Sequence, residues 1–139
     1  MMLKVFLFGS SKAEQKLKTS LDSKGFHLTR LTDPAEAVCR LKQEKCDVFV
    51  VDSAVEDAPV VCHTTSNLNH IPLMLYVSRR QTNWERLTSL NVDGYLPCSV
   101  GGAELAARLQ AVVRRHSSKL KLAISTEEQI WKKKQLPKR

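Results

Sequence analysis

The chain has four cysteines, Cys39, Cys46, Cys62 and Cys98, but no C-x-x-C pair, no histidine at zinc-ligand spacing and none of the cysteine density of a small secreted domain. A disulfide frame and a structural zinc are therefore unsupported, and free thiols in a reducing cytosol are expected. Nothing approaches the ~18 consecutive apolar residues of a membrane-crossing helix. A charged-then-apolar leader is also missing, because Lys4 interrupts the first apolar residues and the next apolar run stops at Phe8. A cytoplasmic protein with no membrane partner is the expectation.

What is there fits one domain plus a tail: 139 residues, when domains cluster at roughly 100–150. The boundary is expected at residue 116, with 1–116 as the domain and 117–139 as a basic tail. The net charge of +8 is uneven, since 15 Lys/Arg face 12 Asp/Glu up to Arg115, but 7 face 2 from His116 onward. Such a tail can hold phosphate or an acidic protein surface, although charge runs are more often simply solvated.

Taken in order, Leu3–Phe8 is a short apolar run that ends at Gly9-Ser10-Ser11, so a strand is followed by a helix with a serine as N-cap. Ala13, Leu17 and Leu21 recur at helical spacing, and Gly25 supplies a left-handed cap. Phe26–Leu31 alternates, which suits a strand near a sheet edge. Asp33-Pro34 opens the next helix as cap and first residue, with Ala35, Val38 and Leu41 as its buried face. Val48-Phe49-Val50-Val51 has no polar alternation and reads as a strand buried on both faces, ending at Asp52. Ala58–Cys62 starts a short or distorted helix that Thr64-Thr65-Ser66-Asn67 argue against extending. Ile71–Val77 is a fourth strand with its proline at the beginning. Trp84, Leu87 and Leu90 mark a helical face, Tyr95-Leu96 a fifth strand, and Leu105, Leu109, Val112 and Val113 a final amphipathic helix after Gly101-Gly102. Strands alternating with helices five times predict a three-layer α/β sandwich with a five-stranded parallel sheet. In such a sheet, chemistry sits beyond the carboxyl ends of the strands, where Asp52 falls.

Several segments together resemble the receiver domains of bacterial response regulators. Cys46-Asp47-Val48-Phe49-Val50-Val51-Asp52 resembles the family's "PDLVLLD" strand, Ile71-Pro72-Leu73-Met74-Leu75 its "IPVIML" strand, Gly94-Tyr95-Leu96-Pro97-Cys98-Ser99 its "GYLVKP" segment, and Gly102-Ala103-Glu104-Leu105 its "PxEL" helix start. The match spans roughly residues 3–115 and implies a flavodoxin-like, receiver-like fold. It also implies that Asp52 stands where the family accepts a phosphoryl group. The family's two magnesium-binding acids fall on Gly9 and Ser10, its hydroxyl residue on Val77 with Ser78 next to it, its lysine on Cys98 and its proline on Ser99. Tyr95 stands at the family's aromatic switch position. Magnesium wants carboxylate oxygens, and losing one stabilising contact to a reacting oxyanion typically costs ~10²–10³ in rate. An atypical receiver is expected, not an enzyme and needing no cofactor. It would act by binding a protein partner, a histidine kinase or output protein among the candidates, or a second copy of itself. The surface implied by the family lies around Trp84, Tyr95 and Ala106.

Two alternatives stay open. Asp52 could serve as a phosphoacceptor in a two-component phosphorelay, with magnesium recruited by Glu56 or Asp57, although solvated loop acids are the simpler account. The tail could bind nucleic acid, because Trp131 beside Lys132-Lys133-Lys134 pairs an aromatic with cations after the capping box Ser125–Glu128. Residues 116–139 are too short for a helix-turn-helix. Cys98 has no basic neighbour in sequence that would activate its thiol, and His63 and His70 lack a third ligand.

Overall fold

The computed structural model describes residues 2–21, 24–66, 71–77 and 90–116. Five strands make one parallel sheet in the order β2-β1-β3-β4-β5: β1 (Leu3–Phe8), β2 (Phe26–Leu31), β3 (Val48–Asp52), β4 (Leu73–Val77) and β5 (Gly94–Pro97). β3 is central and every one of its residues is buried, as its unbroken apolar run predicts. β2 is an edge strand, mostly half-buried, which accounts for its alternation.

Side-chain alternation along the strands divides the core into two layers. Val5, Leu7, Val48, Val50, Met74 and Tyr76 point to one face, where they pack with α1 (Ser11–Leu21) and α4 (102–116). Phe6, Phe8, Phe49, Val51, Leu73, Leu75 and Val77 point to the other, against α2 (Pro34–Gln43) and α3 (Ala58–Thr65). Removing a Val, Leu or Phe side chain from water contributes about 1.5–3 kcal/mol each, so these two layers hold the sheet flat against its helices. The three-layer sandwich is the architecture expected.

Local details refine the expectations. Ala13, Leu17 and Leu21 are the buried residues of α1, and Gly25 has φ of 84°. Asp33 sits at the N-cap of α2 with Pro34 following, yet its side chain makes no cap hydrogen bond. The buried face of α2 is Ala37 and Leu41 rather than Ala35, which is exposed, or Val38, which is half-buried. The stripe is set by the i, i+4 pair that meets Phe6 and Phe8. α3 runs on through Thr64 and Thr65 because their hydroxyls donate to the carbonyls of Val60 at 2.8 Å and Val61 at 2.7 Å, satisfying within the helix the groups that otherwise favour a loop. β4 starts at Leu73, not Ile71, with Pro72 just outside and its carbonyl accepting from Phe49 N–H at 2.9 Å. On α4, Leu105, Ala106, Leu109 and Val112 are buried and Val113 is half-buried. The expected helix around Trp84 and Leu87 and the tail 117–139 lie outside the described residues. None of the helices searched among the described residues is long and apolar enough to cross a membrane.

Candidate functional site

Parallel strands put all five carboxyl ends on one side of the sheet, and the central one ends in Asp52, only 4% exposed. Its Cα pairs across the sheet with Tyr76, while on the other side Val51 pairs with Phe8, so that Gly9 leaves β1 alongside Asp52. Both carboxylate oxygens are engaged. Oδ1 accepts from the backbone N–H of Ala54 at 3.0 Å, a local turn two residues on. Oδ2 accepts from the hydroxyl of Ser10 at 3.2 Å.

Ser10 has a second task. Its Oγ accepts from the N–H of Ala13 at 3.2 Å, and its carbonyl accepts from Glu14 N–H at 3.1 Å, which makes it the N-cap of α1. One hydroxyl thus ties the start of a helix to the buried acid. Gly9 closes the remaining space: a β-carbon built there would stand 2.6 Å from Asp52 Cβ and 3.3 Å from its Oδ2. The Gly9 carbonyl in turn accepts from Arg30 Nε at 2.9 Å, so the half-buried arginine of β2 pins the loop over the acid.

The remaining positions build the rim. Val77 is 5% exposed in the α2/α3 layer, leaving an apolar side chain at the end of β4. Cys98 follows β5, half-buried against the α1/α4 layer, its N–H bonded to the Val77 carbonyl at 3.0 Å. Tyr76 lies near both Asp52 and Cys98; burial first, then the nearness of those two groups, pushes its phenol up to about 12. Ser53 follows Asp52, its N–H bonded to the Tyr76 carbonyl at 2.9 Å, and its Oγ is buried with no partner among the described residues. Ser99, at the place of the family's proline, is exposed.

Ser10 and Gly9 thus meet Asp52 at the carboxyl ends of β1 and β3, and Val77 and Cys98 stand at the ends of β4 and β5 on the same side of the sheet. Glu56 and Asp57 are exposed in the turn before α3, and no three His, Cys, Asp or Glu side chains converge into a cation site among the described residues. Tyr95 is half-buried against the α2/α3 layer. Ala106 is 6% exposed in the core stripe of α4 and does not present its side chain to a partner. His63 is exposed; Ser78, Trp84, His70 and Lys132, Lys133 and Lys134 lie outside the described residues. Sequence reasoning missed Tyr76, Arg30 and Ser53. Tyr76 had a signal, as the one residue with a polar tip in the apolar run of β4.

Among the described residues, those around Asp52 are a poor match for a magnesium ion. A single carboxylate, already bonded through both oxygens, is overlaid by glycine where a receiver site needs a second acid, and its neighbour Ser10 donates a proton toward it rather than offering charge. Position 98 itself offers a thiol, not a cation, to an incoming phosphoryl group.

At the opposite end of the sheet a cleft of about 550 Å³ opens between the end of α2, Asp47, Ile71 and His116. It is remote from Asp52.

No family model matches the chain. Among solved structures it is similar to the signal receiver domain of an HD domain-containing protein from Pseudomonas fluorescens Pf-5, at 14% identity and TM-score 0.72, covering 86% of this chain and 93% of that one. A CheY-like response regulator receiver domain from Methanospirillum hungatei JF-1 matches at 11% identity and TM-score 0.70, over 86% and 99% of the respective chains. The receiver domain of Francisella response regulator 1452 matches at 24% identity and TM-score 0.64, over 81% and 98%. At these identities the likeness establishes the fold: the chain has a receiver-like fold.

Proposed function

We propose that this chain is an atypical receiver that acts in signal transduction by phosphorylation-independent protein–protein interaction, without catalysing a reaction of its own. The observation that carries this is the closure of the acid crevice. Gly9 stands too near Asp52 for a second acid, and both oxygens of Asp52 are held by Ala54 and Ser10. Phosphoryl transfer relies on positioned charge around the acceptor, not on the acceptor alone. Here the hydroxyl and amide hold the carboxylate in one state, so the domain presents a single face to its partner. That partner is a protein, of the histidine-kinase or output-protein kind, or a second copy of the chain, and it would meet the surface around β5 where Tyr95 is half-exposed.

The test is incubation with a small phosphodonor and magnesium, with intact mass and a beryllofluoride titration as readouts. The expected result is an unchanged mass and no beryllofluoride-dependent change at Asp52. A gain of one phosphoryl group that Asp52→Asn abolishes would overturn the proposal and assign the chain to a phosphorelay.

A further inference from the structure

The surface of the α1/α4 layer is basic. On α1, Lys12, Lys16 and Lys18 are exposed beside the single acid Glu14; on α4, Arg108, Arg114 and Arg115 are exposed beside the single acid Glu104. On the other side of the sheet α2 carries Arg40 and Lys42 against Glu36, and α3 carries no Lys, Arg, Asp or Glu. The six cations lie on the same side of the sheet, because α1 and α4 pack into the same core cluster and touch directly. At the start of α4, a β-carbon on Gly102 would stand 2.6 Å from the carbonyl oxygen of Ser20, near the end of α1. Of the six, Arg108 alone has an ion pair among the described residues, to Glu104 at 3.1 Å, and that pair is exposed and weak.

The character of the surface between the cations decides what fits it. Gln15, Thr19, Ala103, Ala107 and Gln110 are exposed there, all small or polar. The exposed large hydrophobic residues, Met2 and Val60, lie on neither helix. Protein interfaces draw their affinity from a few buried aromatic or arginine anchors surrounded by apolar contacts, and this face has no apolar centre. A phosphodiester backbone needs none, because its affinity comes from cations displacing condensed counterions. The same chain adds seven Lys/Arg against two acids from His116 onward.

We infer that the α1/α4 face binds the phosphate backbone of duplex nucleic acid without reading its sequence, with the α2/α3 layer turned away. This stands apart from the Asp52 crevice and does not depend on how that crevice is read.

The experiment is fluorescence anisotropy of the full chain with labelled, mixed-sequence duplex DNA and duplex RNA, each about 20 base pairs, between about 50 and about 200 mM salt. Binding to either duplex that weakens with salt is expected. The combined variant Lys12→Gln, Lys16→Gln, Arg115→Gln, its fold checked by circular dichroism, should lose about tenfold or more in affinity and reduce the salt slope by about 2–3, near 0.9 per lost contact. Lys42→Gln with Lys45→Gln, on the other layer, should leave both unchanged. An unaltered slope in the first variant would assign binding to residues outside this face and overturn the inference. So would an equal loss in the second variant, or retention on polyglutamate with no binding to either duplex, which would make the partner an acidic protein.

Discussion

Gly9 lies closer to Asp52 than a residue with a side chain can: the β-carbon it lacks would sit 2.6 Å from Asp52 Cβ, and contacts under 3.0 Å are essentially never made by real β-carbons. The loop after β1 has therefore settled onto the buried acid, and the missing family acid is more than a lost ligand. Restoring it should not restore a metal site. Gly9→Ala and Gly9→Asp are expected to destabilise the fold by about 1–3 kcal/mol, the usual penalty for forcing atoms into packed space, read from urea midpoints. A Gly9→Asp protein as stable as the parent and able to bind magnesium would show that the loop yields freely.

Ser10 contributes twice, to the α1 N-terminus and to Asp52. Ser10→Ala should cost about 0.5–2 kcal/mol from the lost cap, with a further loss because Oδ2 of a buried carboxylate is left without its donor. Ser10→Asp keeps a capping oxygen but sets two carboxylates together. Like charges raise the pKa of one of them, so this variant should be less stable at pH 7 than at pH 4.5. Thermal melts at the two pH values measure the difference, and an unchanged or opposite ordering removes the role assigned to Ser10.

Alkaline stability follows from three buried groups. Burial pushes the thiols of Cys46 and Cys62 up to about 11 and the phenol of Tyr76 up to about 12, against unfolded values near 8.5 and 10. In each case the folded state holds its proton longer than the unfolded chain. The stability these groups contribute is complete below about pH 8.5 and declines as pH rises, through about 11 for the thiols and about 12 for the phenol. Urea midpoints at pH 7.5, 9 and 10.5 should fall in that order, and Tyr76→Phe should flatten the upper part of the curve. A midpoint independent of pH over this range contradicts the prediction.

The four thiols should separate in a labelling experiment. Cys39 is exposed and Cys98 half-buried, whereas Cys46 and Cys62 are buried, and the Cys46 Sγ lies 3.0 Å from the Val48 carbonyl. With a thiol reagent at pH 8, Cys39 should react first and Cys98 more slowly, with the remaining two reacting only in denaturant. Four fast equivalents in the native protein would contradict the burial of β3 and α3.

Gly102→Ala tests whether α1 and α4 touch as described. Alanine is favoured in a helix by about 1 kcal/mol, yet here its methyl would meet the Ser20 carbonyl, a backbone group that cannot swing aside. Net destabilisation is expected in a denaturant titration. A stabilised variant would mean the two helices stand further apart.

Much of the fold was legible because its signals are local. The apolar run of β3, the edge-like alternation of β2 and the i, i+4 spacing of Ala13, Leu17 and Leu21 each report one element's burial, and each element formed as read. The misreadings were also local. Ala35 is apolar and so reads as a core residue, whereas the direction of α2 against Phe6 and Phe8 buries Ala37 instead. Thr64 and Thr65 looked like loop residues until their hydroxyls were found bonded back into α3.

By itself the sequence determined that a strand buried on both faces ends in Asp52, since residue identity and hydrophobic period are carried in the chain, and the family resemblance implied that Gly9, Ser10 and Cys98 stand where a receiver carries its acids and lysine. Tertiary structure alone decided that Gly9 abuts Asp52, that Ser10 reaches it across 42 residues, that Tyr76 stands beside it, and that the cations of two distant helices lie on one side of the sheet. Those relationships are set by the strand register and by which helices cover which side of the sheet, and no short-range pattern encodes either.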